Sequence, residues 1–186
     1  MARLIYVSNV SLDGCIEDED GSFAWTATDD DVFAFITELV RPVGTHLYGR
    51  RLYDTMAPWE TDPALAAQSE LTAEFARVWQ AADKVVYSAT ADAVTTARTR
   101  LTRTFDVDSV RQMKAAATSD LMVGGAHLAA QAFGAGLVDE CHLLVRPVSV
   151  GGGKPALPRG SRTDLELLDD RRLGDGVVYL RYRVRS

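Results

Sequence analysis

Residues 119–153 read SDLMVGGAHLAAQAFGAGLVDECHLLVRPVSVGGG. A short apolar run, Leu121-Met122-Val123, lands on Gly124-Gly125, and small residues at helical spacing follow from Ala126 to Phe133. Gly134-Ala135-Gly136 breaks that pattern, and Leu137-Val138-Asp139-Glu140 leads into a second apolar run, Leu143-Leu144-Val145. The order is strand, glycine turn, helix, strand, a βαβ unit with its glycines at the carboxyl end of the first strand. A bare Gly-Gly pair admits two readings. It can allow a tight turn, or it can let a phosphate approach the unpaired N–H groups and positive end of the following helix.

Outward from this unit the same alternation continues. Leu4-Ile5-Tyr6-Val7 reads as a buried central strand that runs into Ser11-Leu12-Asp13-Gly14 and an acidic loop, Glu17-Asp18-Glu19-Asp20-Gly21, whose plain reading is a solvated loop. Thr28 is placed to cap a helix whose first turn holds Asp29, Asp30 and Asp31 and whose apolar stripe is Val32, Phe35, Ile36, Leu39 and Val40, ending at Arg41-Pro42. Three aspartates there also complement the helix dipole. Thr45 to Tyr48 is the next strand, broken by Gly49 ahead of Arg50-Arg51-Leu52-Tyr53. These arginines suit either solvent or a phosphate. Residues 57–63 read as a loop carrying Trp59, and residues 64–82 as one amphipathic helix. Strands are expected at 84–88 and 101–105 with 93–96 undecided, a helix at 108–117, and a final hairpin of strands at 164–168 and 177–184.

The chain has 186 residues, 47% hydrophobic and 25% charged, which suits one well-buried core and predicts a single domain over residues 1–186. Twenty basic residues against 26 acidic ones leave a net charge of -6, which speaks against nucleic acid or an anionic membrane as partner. Cys15 and Cys141 form neither a disulfide framework nor a metal-ligand spacing, and His46, His127 and His142 are scattered, so no metal site is expected. The first residues lack a signal-peptide pattern and no run is long enough to span a bilayer, so a cytoplasmic protein is expected. Lys154 is followed by Pro155 rather than Ser or Thr, which excludes a P-loop. Gly134-Ala135-Gly136 follows a helix and lacks a third glycine, and no Gly-x-Ser-x-Gly elbow occurs.

Four segments in order carry a resemblance: Ser11-Leu12-Asp13-Gly14; Tyr48-Gly49-Arg50-Arg51-Leu52-Tyr53; Val123-Gly124-Gly125-Ala126; and Gly136 to Glu140 continuing through Arg146-Pro147-Val148-Ser149-Val150-Gly151-Gly152-Gly153-Lys154. Together they resemble the dihydrofolate reductase-like family, above all the branch containing the C-terminal reductase domain of riboflavin-biosynthesis deaminase-reductases. The resemblance implies a three-layer α/β/α fold with a mostly parallel mixed sheet that ends in an antiparallel C-terminal strand. It also implies hydride transfer from NADPH, with NADH possible and flavin the lesser alternative, to a C=N or C=O group of a small pterin- or pyrimidine-like substrate, in a homodimer.

Carried over residue by residue, the resemblance gives Gly124, Gly125, Ala126, His127 and Leu128 to the pyrophosphate. Gly49, Arg50 and Ser88 go to the adenosine side, and Val7, Ser8, Asp13, Gly14 and Ile16 to the nicotinamide. Trp25, Asp31 and Phe35 go to the substrate, with Asp31 and next Asp30 as candidate catalytic acids. The chain departs from the family pattern at Leu52, where threonine is common, at Ala89, where arginine is common, and after Pro155, where a phenylalanine is missing. The first two departures weaken the expected phosphate contacts and motivate the alternative, a non-catalytic ligand-binding member of the same fold.

Overall fold

The computed structural model describes residues 2–27 and 29–185. In chain order its elements are β1 (Leu4–Ser11), β2 (Cys15–Glu17), α1 (Asp30–Val40), β3 (Val43–Gly49), α2 (Arg50–Met56), α3 (Pro58–Thr61), α4 (Pro63–Ala66), α5 (Glu70–Ala81), β4 (Asp83–Tyr87), β5 (Thr99–Thr102), α6 (Val107–Ala116), β6 (Asp120–Gly124), α7 (Ala126–Gly134), β7 (Glu140–Arg146), β8 (Lys154–Pro155), β9 (Asp164–Arg172) and β10 (Val178–Arg185). Eight strands form one sheet in the order β5-β4-β3-β6-β1-β7-β10-β9. The first six are parallel; β10 runs antiparallel to β7 and β9 antiparallel to β10. The mixed sheet and the terminal hairpin expected from the sequence are both present.

Helices cover both faces. On one side α6 and α7 bury Val110, Leu128, Ala129 and Ala132 against Leu4, Tyr6, Leu47, Leu121 and Val123. On the other, α1, α2 and α5 bury Val40, Tyr53, Phe75 and Trp79 against Ile5, Tyr48, Val86 and Met122. The central strands carry apolar side chains on both faces because both faces are covered. Helix α1 also reaches the antiparallel end of the sheet, where Val32 joins Leu144, Val177 and Tyr179.

Several local readings change. Thr28 lies outside the described residues; the cap observed is Asp29, whose Oδ1 accepts from the Val32 amide at 2.8 Å. Helix α1 is buried on two flanks, and the expected stripe left out Phe33, which packs on Phe75 and Trp59 beside Ile36 and Val40 of the same cluster. The single helix expected over 64–82 is two, separated by Ser69, which caps α5 in a reciprocal pair with Thr72. Trp59 lies in α3 rather than a loop, since Pro58 is preset for a first helical position. The strand expected at 101–105 is β5 at Thr99–Thr102, the helix expected at 108–117 is α6, and the strand expected at 164–168 runs on to Arg172.

Two buried polar side chains stand under α5. Lys84 donates from Nζ to the carbonyls of Trp79 and Ala82, at 3.3 and 3.0 Å. His46, 1% exposed, stacks on Tyr48 and neither of its ring nitrogens has a hydrogen-bond partner. Burial, and then the charge of Lys84, hold its pKa down at about 3 from an ordinary 6.5. Unfolding frees the ring to bind a proton between those values. The contribution of neutral His46 is therefore complete above about pH 6.5 and is lost as pH falls toward 3. From this group alone, stability at pH 5 is expected to be about 2 kcal/mol below that at pH 7.5. Urea midpoints at the two pH values should show that loss, and His46→Leu should reduce it.

Candidate functional site

Strands β1 and β6 pair only from Leu4↔Leu121 to Tyr6↔Val123, after which β6 ends at Gly124 while β1 continues beside β7 to Ser11↔Arg146. The sheet therefore opens at its carboxyl edge on the β6 side of Val7 and Ser8, both half-buried. A cleft of about 460 Å³ lies at the carboxyl ends of β3, β4, β5 and β6, and the expected nicotinamide residues Val7, Ser8, Asp13, Gly14 and Ile16 are not among its lining. Its lining comes from the segments that follow four strands: Gly49-Arg50-Arg51-Leu52 after β3, Ser88-Ala89 after β4, Arg103-Thr104-Phe105 after β5, and Gly125 to Leu128 after β6. Lys154 and Gln131 complete it. Position beyond the carboxyl ends of parallel strands is where open α/β sheets bind ligands.

The two glycines of the opening stretch do different things. Gly124 is buried, and a Cβ there would stand 2.5 Å from Leu52 Cδ2 and 3.1 Å from the Tyr48 ring. Its small size lets α2 pack against β6. Gly125 has φ +87°, a backbone conformation that L side chains rarely adopt, and it is the N-cap of α7 with no side chain capping the helix. The first intrahelical bond runs from Ala129 to the Gly125 carbonyl, at 2.9 Å. The amides of Ala126, His127 and Leu128 are left without intrahelical partners, and all three residues line the cleft.

Cationic side chains surround that helix end. Arg50 is exposed, within 3.4 Å of both Asp54 and the Thr90 hydroxyl. Arg51 and Lys154 face each other across Glu17, whose Oε1 lies 3.1 Å from the Arg51 guanidinium and 3.7 Å from Lys154 Nζ. Arg103 donates from Nη1 to the carbonyl of Ala91 at 2.5 Å and to those of Ser88 and Ala89 at 3.5 Å. Buried Ser88 turns the same loop by accepting from the amide of Ala91 at 3.0 Å. Four cations and three amides without intrahelical partners give this cleft the charge and donors that a polyanion requires.

The first loop has its own supports. Asp13 accepts from the amides of Val150 at 3.1 Å and Gly151 at 2.7 Å. Hydrogen bonding to Ser11 first, and then to these amides, holds its carboxyl well below the usual range. Asp13 thus ties the loop after β1 to the glycine segment before β8. Gly14 has φ +87° and passes its carbonyl to Ala156, at 2.9 Å, while Cys15 and Glu17 pair with β8 and carry Ile16 between them.

Two of the expected substrate residues lie elsewhere. Asp31 and Phe35 line a second groove, of about 630 Å³, between α1 and the strands β7, β10 and β9. Phe35 packs edge-on against Tyr179 with ring centroids 4.8 Å apart. This groove runs to the amino end of the sheet, past Arg3, Asp120 and Glu140. Glu140 there accepts from Arg181, Arg3 and His142. Burial pushes the Glu140 carboxyl up, but Arg181 and Arg3 outweigh it and bring it down to about 2. The helical phase explains the difference. Asp31 and Phe35 share the flank of α1 that packs on Tyr179, whereas Phe33 lies on the flank against Phe75 and Trp59, and Val7 borders both. Asp30 is exposed at the start of α1, and Trp25 is half-buried in the preceding turn, its indole nitrogen buried and without a hydrogen-bond partner among the described residues.

Leu52, Ala89 and Arg51 lie on the phosphate side as the sequence suggested, whereas Tyr87, Arg103, Thr104, Phe105, Gln131 and Lys154 were not expected among the lining residues. Lys154 follows the glycine segment and could have been found there. Arg103 could not, because it enters through a loop with no motif.

The parallel sheet covered on both faces, the reversed hairpin at its edge and the basic cleft at its carboxyl ends define a dihydrofolate reductase-like α/β/α protein. The chain belongs to the RibD C-terminal domain family, whose model matches residues 2–179. That family is one of reductases. YyaP of Bacillus subtilis strain 168, an uncharacterized protein, is 29% identical over 185 residues, 97% of this chain and 94% of its own. A protein provisionally assigned to riboflavin biosynthesis from Shewanella sp. PV-4 has the same fold, with TM-score 0.74 at 20% identity over all of both chains. So has a diaminohydroxyphosphoribosylaminopyrimidine deaminase/5-amino-6-(5-phosphoribosylamino)uracil reductase from Thermotoga maritima, with TM-score 0.66 at 14% identity over 99% of this chain and 57% of that one. No helix among the described residues is long and apolar enough to cross a membrane.

The steric reading of Gly124 can be tested by stability. Gly124→Ala is expected to cost about 1–3 kcal/mol by overpacking against Leu52 and Tyr48. Combining it with Leu52→Ala should return part of that loss, measured as urea midpoints in a double-mutant cycle.

Proposed function

We propose that this chain is an NADPH-dependent reductase of a small oxo- or imino-heterocycle of the pyrimidine or pterin type. The observation that carries the reading is the uncapped start of α7 at Gly125, set among Arg50, Arg51, Arg103 and Lys154. When bound, the dihydronicotinamide supplies a hydride to a C=N or C=O carbon. The amides of Ala126, His127 and Leu128 would hold the pyrophosphate, and the loop of Ser88 with Arg50 and Arg103 the adenosine phosphates. Val7, Ser8, Gly14 and Ile16 would frame the ring, with Asp13 fixing the loop that carries the last two. The proton is taken from water in this reading, because Asp30 and Asp31 are both exposed and Asp31 opens on the second groove.

The Arg103 geometry bears on the choice of cofactor. Its guanidinium reaches the Ser88–Ala91 loop from the end of β5, on the side of the cleft where Ala89 offers no charge. A cation there favours the extra phosphate of NADPH. Titration of the purified chain should show nicotinamide fluorescence changing on addition of NADPH. Arg103→Ala should weaken NADPH about tenfold and leave NADH within about twofold, a charge-assisted contact being worth about 1.5–3 kcal/mol. No binding of either nucleotide at millimolar concentration overturns the reading.

Leu52 supports a second reading. It packs over Gly124 and lines the cleft at the turn where the pyrophosphate is proposed to sit. A non-catalytic member of the fold would bind a ligand there with no substrate-dependent oxidation of NADPH.

The reductase is proposed to act as a homodimer. Strands β9 and β10 sort their side chains sharply. Arg181, Arg183 and Arg171 pair with Glu140, Glu166 and Asp169 on the α1 side. The other face carries Val178, Leu180, Tyr182 and Val184, with Leu165 and Leu167 opposite. Leu167 is 51% and Val178 38% exposed. Only Asp170 and Arg172, of opposite sign, share that face. A second copy of a chain with net charge -6 meets the least like-charge repulsion there. Sedimentation velocity should show a dimer that Leu167→Glu converts to monomer, with NADPH affinity unchanged.

A further inference from the structure

Arg146, at the carboxyl end of β7, is 3% exposed. Its Nε and Nη2 donate to Asn9 Oδ1 at 3.0 and 2.7 Å, and its Nη1 reaches the Ala27 carbonyl at 3.4 Å. Burial works against its charge, and only the more distant Asp175 and Asp29 oppose that effect. Apolar packing would join β1 to β7 without a buried cation, so the guanidinium calls for another explanation.

An arginine side chain has donors only, so the oxygen of the Asn9 amide must face it. The orientation of that amide is thereby fixed, and its nitrogen is turned away. Asn9 Nδ2 has no hydrogen-bond partner among the described residues, and it is not among the side-chain atoms sealed from solvent. Asn9 alternates with Val7 and Ile5 on the α1 face of β1, beyond the last residue that pairs with β6. Val7, the neighbouring residue on that face of β1, is half-buried, as are Phe33, Met56 and Trp59 on the same side of the sheet. Two donors on a clamped oxygen also polarise the amide and strengthen its N–H groups as donors.

We infer that Asn9, held by Arg146, recognises the substrate by donating an amide N–H to a ring carbonyl oxygen, and so selects oxo-substituted over amino-substituted heterocycles. Asn9 makes the contact, and Arg146 is a positioning residue. The inference takes from the reductase reading only the location of the heterocycle, beside the carboxyl end of β1.

A matched pair of probes tests it: 2,6-diaminopyrimidin-4-one and 2,4,6-triaminopyrimidine, titrated calorimetrically into the full chain with and without NADPH. The wild-type protein should favour the oxo compound about tenfold. Asn9→Asp keeps a partner for Arg146 but offers acceptors only, and should reverse the preference toward the amino compound. Arg146→Met should bring the ratio close to one, which loss of a merely structural contact would not do in a protein that remains folded by circular dichroism. If Asn9→Asp does not fold, Asn9→Ala should likewise bring the ratio close to one. Equal binding of the two probes by the wild-type protein, or an unchanged ratio in the Asn9 variant, overturns the inference. A protein that binds NADPH and neither pyrimidine overturns it as well, while leaving the cofactor reading in place. Oxo preference without NADPH binding does the reverse.

Discussion

The site depends on where β1 and β6 stop pairing. After Tyr6↔Val123 the chain of β6 reaches Gly124 and leaves the sheet, while β1 continues beside β7 for five more residues. Backbone groups of β1 on the β6 side lose their ladder partners at that point, and a parallel sheet tolerates this only at an edge or a cleft. The turn at Gly125 makes the departure possible, because its φ of +87° lets α7 begin immediately after the strand. The helix start then faces the gap with its amides unsatisfied. The same glycine turn thus ends the β1–β6 ladder and sets the positive helix end against the cleft.

The elements around the gap are held by packing and by loop-to-loop hydrogen bonds. Leu52 seats α2 against the bare Cα of Gly124, and Tyr48 packs from the same side. Asp13 links the first loop to the amides of Val150 and Gly151, and Arg103 links the end of β5 to the carbonyls after β4. These contacts join segments distant in sequence to a common rim. The cleft thus consists of loops fixed to a rigid sheet, the arrangement that lets a family keep its fold while its lining residues vary.

Much of the fold was legible because it is periodic. Apolar runs ending in glycine at Gly49 and Gly124 marked the carboxyl ends of strands, and the alternation in Val178–Val184 marked a strand with two unlike faces. The breaks inside long helical patterns were less legible. Ser69 capping α5 and Pro58 opening α3 each overrode an apolar stripe or a loop composition that looked continuous. The phase of α1 was misread for a physical reason. The helix is buried on two flanks, and the stripe of Val32, Phe35, Ile36, Leu39 and Val40 mixes residues of both. It leaves out Phe33, which packs on Phe75 and Trp59.

The sequence by itself determined the parallel α/β class, the glycine turn before α7 and the segments that line the cleft near Gly49 and Gly125, because each is written in a local pattern of size and polarity. Only the tertiary structure decided which charges meet there. Arg103 reaches the cleft from the end of β5, Arg146 fixes the Asn9 amide across two strands, and Asp31 opens onto a different groove. These outcomes depend on strand order and helix phase, which are set by how the whole core packs rather than by any neighbouring residue. The same is true of Gly124 and Gly125. Adjacent and identical in sequence, they serve packing in one case and backbone conformation in the other, because the Leu52 side chain from α2 would crowd a Cβ on the first and stand at ordinary contact distance, 3.9 Å, from one on the second.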